Sequence, residues 1–204
     1  MDLNVGSLTV SRETMDRLTI YAELLEKWNP KINLVSRTTL SDLWTRHIVD
    51  SAQLFVLAPD GVTQWVDLGS GGGFPGLVIA ILAQEFRPDL NVTLVESDQR
   101  KCAFLRTVSR ETNCNTTVIA KRIEEIDPLS AEVLSARALA DLTALLGFAD
   151  RHLSESGICL FPKGLTWEKE VEAARSLWKF DAEAINSETQ EDTVILRINE
   201  IEHA

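Results

Sequence analysis

Residues 65–76 read W-V-D-L-G-S-G-G-G-F-P-G: an apolar run ends on an aspartate, and five of the eight residues from Gly69 to Gly76 are glycine. A buried strand that breaks into bare backbone and restarts as the apolar helix P-G-L-V-I-A-I-L-A-Q-E-F opens a βαβ unit. In a doubly wound sheet, ligands bind at the carboxyl ends of the strands, where strand order reverses. Gly69, Gly71, Gly72 and Gly73 let the chain turn tightly and bring a ligand against the main chain. Pro75 suits the first turn of the helix, where its missing N–H would have no partner.

Working outward, the alternation continues. Strands are expected at N-V-T-L-V-E (91–96), T-T-V-I-A (116–120), A-E-V-L-S-A (131–136), G-I-C-L-F-P (157–162) and D-T-V-I-L-R-I-N (192–199). Between them lie helical runs at 98–111 and 142–152 and a polar helix near 167–179. Strands alternating with helices imply a mostly parallel sheet covered on both faces. Upstream, residues 12–28 place Met15, Leu18, Ala22, Leu25 and Trp28 on one helical face, with Ser11 as N-cap and Asn29-Pro30 as the stop. A second helix is expected after Ser41, ending before Pro59. The fold class is therefore α/β, Rossmann-like, a doubly wound sheet with a helical N-terminal extension. One domain spans 1–204, with a helical section at 1–60 and a ligand-binding α/β core at 61–204.

Gly71 to Gly76 formally satisfies G-x-G-x-x-G, a weak signal for a dinucleotide. Asp67 shifts the reading. A carboxylate beside the loop opposes a pyrophosphate but suits a cationic ligand such as S-adenosylmethionine (SAM). Glu96 ends the second strand of the core, 23 residues after Gly73, near the spacing at which an acid accepts from ribose hydroxyls. That feature fits either cofactor, so an NAD-type oxidoreductase stays open on these residues.

The net charge of −11 argues against a polyanionic partner until its distribution is seen. Residues 1–60 carry 6 basic and 8 acidic side chains, 61–122 carry 7 and 6, and 123–204 carry 7 and 17. Nearly all excess acid lies in the last segment, and local potential rather than net charge steers association. Cys102, Cys114 and Cys159 lack metal-ligand spacing and read as buried thiols of a cytoplasmic protein. No metal site is expected. Neither an apolar run of membrane-spanning length nor a secretory signal is visible.

Several stretches resemble the RsmG (GidB) family: K-W-N-P-K-I-N-L-V-S (27–36), R-H-I-V-D-S (46–51), V-D-L-G-S-G-G-G-F-P-G (66–76), R-K-C-A-F-L-R (100–106), A-K-R-I-E-E-I (120–126), S-A-R-A-L-A (135–140) and F-P-K-G (161–164). They keep family order over about residues 18–165. The resemblance implies a SAM-dependent enzyme that methylates N7 of one guanine in bacterial 16S ribosomal RNA. It implies that Gly69 and Phe74 line the SAM pocket with Asp67 behind them, that Glu96 sits at the ribose, and that Ile123 and Glu124 contact the adenine end. It places Arg137 among the SAM-contacting positions near methyl transfer, and Lys163 on the family's K-G. One departure is Ala136, where many relatives carry serine before the arginine.

Such a reaction needs no general base, because guanine N7 is an exposed lone pair; catalysis rests on holding it in line with the methyl–sulfur bond. An A-form major groove is too narrow for access, so the target lies in a loop or is extruded. Lys31, Arg37 and Arg46 are the candidate RNA contacts of the helical front end, with 16S rRNA or the small subunit as partner and a monomer as the default state. Arg46 also reads as a helical ion-pair partner of Asp50, and His47 as a core histidine. A SAM enzyme acting on a protein or small molecule, an oxidoreductase, and a non-catalytic RNA-binding module are the competing functions.

Overall fold

The computed structural model describes residues 4–5 and 8–204; the side chains of Asn4, Val5 and Arg37 lie outside the described set. A short antiparallel ribbon, β1 (Asn4–Val5) and β2 (Leu8–Thr9), precedes α1 (Arg12–Ile32). Ser11 caps α1, its hydroxyl accepting from Thr14 N–H at 3.2 Å. The helix does not stop at Asn29-Pro30 as the turn signal predicts; Pro30 lies inside its last turn. The stop comes from Asn29 itself, whose buried Oδ1 accepts from the N–H of Leu34 at 2.7 Å and of Val35 at 2.9 Å. Asn33, at φ 51°, turns the chain out and returns its own N–H to the Asn29 carbonyl at 3.0 Å. The side chain of Asn29 thus does locally what a proline-led turn was expected to do.

The second helix of the front end is three pieces: α2 (Arg37–Leu40), a π-helical segment (Trp44–Val49) and α3 (Asp50–Leu57). The core then runs β3 (Gln64–Leu68), α4 (Gly76–Phe86), β4 (Asn91–Val95), α5 (Gln99–Glu111), β5 (Thr116–Ile119), β6 (Ala131–Ala136), α6 (Leu142–His152), β7 (Leu153–Lys163), α7 (Trp167–Ala174), β8 (Trp178–Asn186) and β9 (Val194–His203). Strand β8 falls where the polar helix near 167–179 was expected to end. Only Trp178 and Phe180 of its nine residues are buried. Its sequence alternates apolar and polar residues from Trp178 to Ala184, a strand period that the expected helix overlooked, and its Lys179, Asp181 and Glu183 suit a charged edge strand.

Seven strands form one sheet in the order β5-β4-β3-β6-β7-β9-β8. The first five are parallel, while β9 runs antiparallel to both β7 and β8. Strand order reverses between β3 and β6, which places the glycine loop at the switch point. Alternate residues of each strand feed two cores. Trp65, Val92, Leu94, Val133 and Leu160 pack with α1, α3, α4 and α5 on one face. Val66, Leu68, Leu134, Cys159 and Phe161 pack with α6 and α7 on the other. The front-end helices therefore share a core with α4 and α5, with Tyr21, Leu18 and Leu25 of α1 fully buried.

Replacing Asn29 by Ala leaves two buried amides of the α1 terminus unpaired. The expected loss is about 2–3 kcal/mol of unfolding free energy, read by urea denaturation; a loss below ~0.5 kcal/mol would show that the cap does not end the helix.

Candidate functional site

Two cavities flank the glycine loop, both lined by Gly69, Gly71, Lys101, Ala138 and Ala140. The larger, about 690 Å³, lies between the front end and the ends of β6, β7 and β9. The smaller, about 370 Å³, lies over the ends of β4 and β5. Gly69, at φ +64°, presses the loop against Leu139; a Cβ there would sit 2.6 Å from the leucine Cδ1, so glycine lets the two segments meet.

In the smaller cavity, Glu96 is nearly buried at the end of β4. Its Oε2 accepts from Gly71 N–H at 2.9 Å and its Oε1 from Asp98 N–H at 2.8 Å. Ile123 and Glu124, on a short 3₁₀ turn after β5, line the same space with Leu139 and Phe148. A carboxylate beside an apolar slot and exposed loop backbone fits the ribose and base of an adenosine group.

In the larger cavity Phe74, almost wholly buried, forms part of the wall. Its ring lies 5.1 Å from that of Tyr21 and 5.0 Å from the stacked ring of His47. The Arg137 guanidinium carbon lies 5.0 Å from the Phe74 centroid, an arrangement in which the ring face attracts the cation. Arg137 follows the last residue of β6, donates from Nη1 to the Arg46 carbonyl at 3.2 Å and lies 3.6 Å from an Asp50 oxygen. The π-helical segment explains that carbonyl's availability. The Asp50 N–H goes to the Thr45 and His47 carbonyls, so the Arg46 carbonyl is not taken by its usual α-helical partner. Burial first, then Arg137 and Arg46, pull the His47 pKa down to about 4. The ring is therefore neutral at pH 7, with Nε2 on Thr39 Oγ1 at 2.9 Å. Lys163, at the end of β7, donates to Glu170 at 2.7 Å and to the Ala140 carbonyl at 3.2 Å.

Three expectations change. Arg46 does not pair with Asp50: it lies 4.0 Å from Asp42, and Asp50 faces Arg137, because the π segment rotates the following residues relative to an unbroken helix. Asp67 lines neither cavity. It is fully buried beneath the loop, with Oδ1 accepting from Ser135 Oγ at 2.8 Å and Oδ2 from Gly76 N–H at 3.3 Å. A carboxylate spent on these partners holds the loop rather than meeting a ligand. Gly73 is also turned inward, next to Tyr21. Of the RNA candidates, Arg46 lies on the rim of the larger cavity and Lys31 is exposed in the last turn of α1, while the Arg37 side chain lies outside the described residues. The hydroxyl missing at Ala136 is adjacent in Ser135, which serves Asp67. The sequence reading missed the role of Asp50 towards Arg137 and that of the turn after β8. Asp50 and Arg137 are 87 positions apart, so no local pattern joins them. Among the described residues no group of His, Cys, Asp and Glu is arranged to hold a metal ion.

The family model "GidB: rRNA small subunit methyltransferase G" matches residues 14–196. A protein of Ruegeria sp. named ribosomal RNA small subunit methyltransferase G is 57% identical over 195 residues, covering 96% of this chain and 95% of its own. A protein of the same name from Rhodospirillum centenum is 54% identical over 192 residues, covering 94% and 87%. Among solved structures, a TehB-like SAM-dependent methyltransferase of Corynebacterium glutamicum aligns at TM-score 0.57 and 13% identity, covering 89% of this chain and 98% of that one. The T. thermophilus 16S rRNA methyltransferase RsmC, solved with AdoMet and guanosine, aligns at 0.54 and 15%, covering 74% and 38%. These two likenesses show the fold: a Rossmann-like methyltransferase architecture.

Burial raises the Asp67 pKa to about 6, against the hydrogen bonds from Ser135, Ser70 and Gly76. In the unfolded chain an aspartate titrates near ~4. The folded state therefore holds this proton more tightly, and its contribution to stability is present below pH ~4 and is lost as pH rises through about 6. Relative to Asp67→Asn, wild-type stability should fall by about 2–3 kcal/mol across that window; parallel pH profiles of the two proteins would contradict it.

Proposed function

The chain belongs to the GidB family of rRNA small subunit methyltransferases, and on that premise we propose that it transfers a methyl group from SAM to N7 of one guanine in 16S rRNA. The observation that carries the reading is the pair of cavities meeting at Gly69 and Gly71. One offers a carboxylate and an apolar slot for an adenosine; the other is a wider opening with a planar wall for an RNA base.

When bound, SAM supplies a methyl carbon activated by its sulfonium. Glu96, Ile123 and Glu124 would hold its adenosine end, and the backbone at Gly69 and Gly71 its centre. The chain's own part in the reaction is positional. Phe74, packed between Tyr21 and His47, is a fixed apolar wall that excludes water from the reacting atoms. Guanine N7 carries no proton, so no side chain must remove one, and a neutral His47 packed on Phe74 agrees with that. Arg137, and Lys163 with one ammonium proton left over from Glu170 and Ala140, are placed to donate to guanine O6 or to phosphates. Arg46, Lys101 and Lys31, with Arg37, would carry phosphate contacts. No described helix is long and apolar enough to cross a membrane. A ribosomal substrate places the work in the cytoplasm, and a monomer suffices, since one chain supplies both cavities.

The test is methyl transfer from tritiated SAM to small subunits lacking the modification, followed by nucleoside analysis. Label in 7-methylguanosine at a single 16S site is expected; label elsewhere, or none, overturns the assignment. Glu96→Ala should weaken SAM binding about 10- to 100-fold by calorimetry, the loss of hydrogen bonds to a charged group. Unchanged affinity would place the adenosine elsewhere.

A further inference from the structure

We infer that Asp50 is a positioning residue for Arg137 and that the turn joining β8 to β9 acts through it. The inference rests on the methyltransferase reading only for the consequence in catalysis; the linkage itself is geometric. Asp50 presents one oxygen to Arg137 at 3.6 Å. Its other oxygen accepts from Thr189 Oγ1 at 2.9 Å and from Gln53 Nε2 at 3.3 Å. Gln53, one helical turn along α3 and nearly buried, accepts the Glu188 N–H on its Oε1 at 2.7 Å and reaches Ser187 Oγ at 3.3 Å. Two helix residues are therefore held by three turn residues some 135 positions later in the chain.

The chain of contacts has a direction. The turn fixes the carboxylate, the carboxylate and the freed Arg46 carbonyl fix the guanidinium, and the guanidinium lies on Phe74 of the glycine loop. An arginine has several rotatable bonds; without such partners its head would sample many positions over the cavity. The same turn contributes Ser187, Gln190 and Thr193 to the wall of the larger cavity. The acidic C-terminal strands thereby contribute through their joining turn to the wall of the larger cavity and hold the carboxylate that pairs with its cation.

Thr189 is the point at which the linkage can be cut without touching the cavity's charged groups. Thr189→Val removes the hydroxyl at nearly constant shape, Thr189→Ser keeps it, and Asp50→Asn removes the charge. Two readouts separate this inference from the assignment of function. The first is an arginine-guanidinium NMR spectrum of isotope-labelled protein without ligand, the Arg137 signal assigned by its loss in Arg137→Lys. A shifted or exchange-broadened Arg137 signal is expected in Thr189→Val and Asp50→Asn, with the wild-type signal in Thr189→Ser; an unchanged signal in Thr189→Val overturns the inference. The second is methyl transfer to unmodified small subunits. Thr189→Val should lose about tenfold in kcat, the effect of one hydrogen bond to a charged group, with KM for SAM and melting temperature unchanged and with recovery in Thr189→Ser. Wild-type kcat in Thr189→Val, or a loss that follows melting temperature instead of the hydroxyl, overturns the role. Should the wild-type protein transfer no methyl group, the proposed function fails, and the spectrum alone decides the linkage.

Discussion

The Asp67 carboxylate stands where three elements meet: it belongs to β3, accepts the Ser135 hydroxyl from β6 and the Gly76 N–H at the start of α4. Asp67 and Ser135 are register partners in adjacent parallel strands, so their side chains lie side by side on one face. Ser135 in turn accepts the Trp65 indole N–H at 2.9 Å. A buried acid costs several kcal/mol unless its oxygens are satisfied, and only one register of β3 against β6 satisfies them. Gly76 is part of that arrangement, because a Cβ there would lie 2.8 Å from Asp67 Oδ2. That contact ties together β3, β6 and the start of α4 at the switch point of the sheet.

The central strands and α6 are legible in the sequence because parallel strands buried on both faces are continuous apolar runs, and α6 is an uninterrupted amphipathic stretch from Leu142 to His152. Strand β8 is marked only by the short alternation of Trp178, Phe180, Ala182 and Ala184 with Lys179, Asp181 and Glu183, and because that run follows directly on a polar helix it reads as the helix's end. The strand ends that carry Glu96, Arg137 and Lys163 are equally visible, since the topology places all of them at one edge. What those side chains touch is not. Arg137 finds Asp50 and Arg46 only through the π segment, and a single shifted hydrogen bond at the Asp50 N–H leaves no mark on hydrophobic periodicity. Asp67 misled for a related reason: proximity to the loop in sequence says nothing about which side of the loop the carboxylate occupies.

Charge is arranged as unevenly in space as along the chain. Arg46, Lys101, Arg137 and Lys163 line the larger cavity, and Lys101, Lys121 and Arg122 the smaller. The acids among them are engaged: Asp50 with Arg137, Glu170 with Lys163, Glu96 with loop amides and Glu124 with Arg122. Solution salt limits the reach of the more distant acids of β8 and β9 to about 8 Å. A net charge of −11 therefore coexists with a locally cationic opening, and repulsion elsewhere narrows the orientations in which a polyanion can approach.

The position of β9 between β7 and β8 bears on how the molecule is made. Synthesis delivers β8 before β9, yet β8 has no partner in the sheet until β9 has paired with β7. While residues 187–193 are still inside the ribosome and the chain before them has emerged, the five parallel strands can assemble, but the wall formed by the β8–β9 turn cannot. A nascent chain of this kind holds a formed glycine loop beside an open-sided cavity, with Asp50 lacking Thr189. Completion of the site is thus tied to the final antiparallel pairing, a step in time as well as in space, and the enzyme's competence begins only after β9 has emerged.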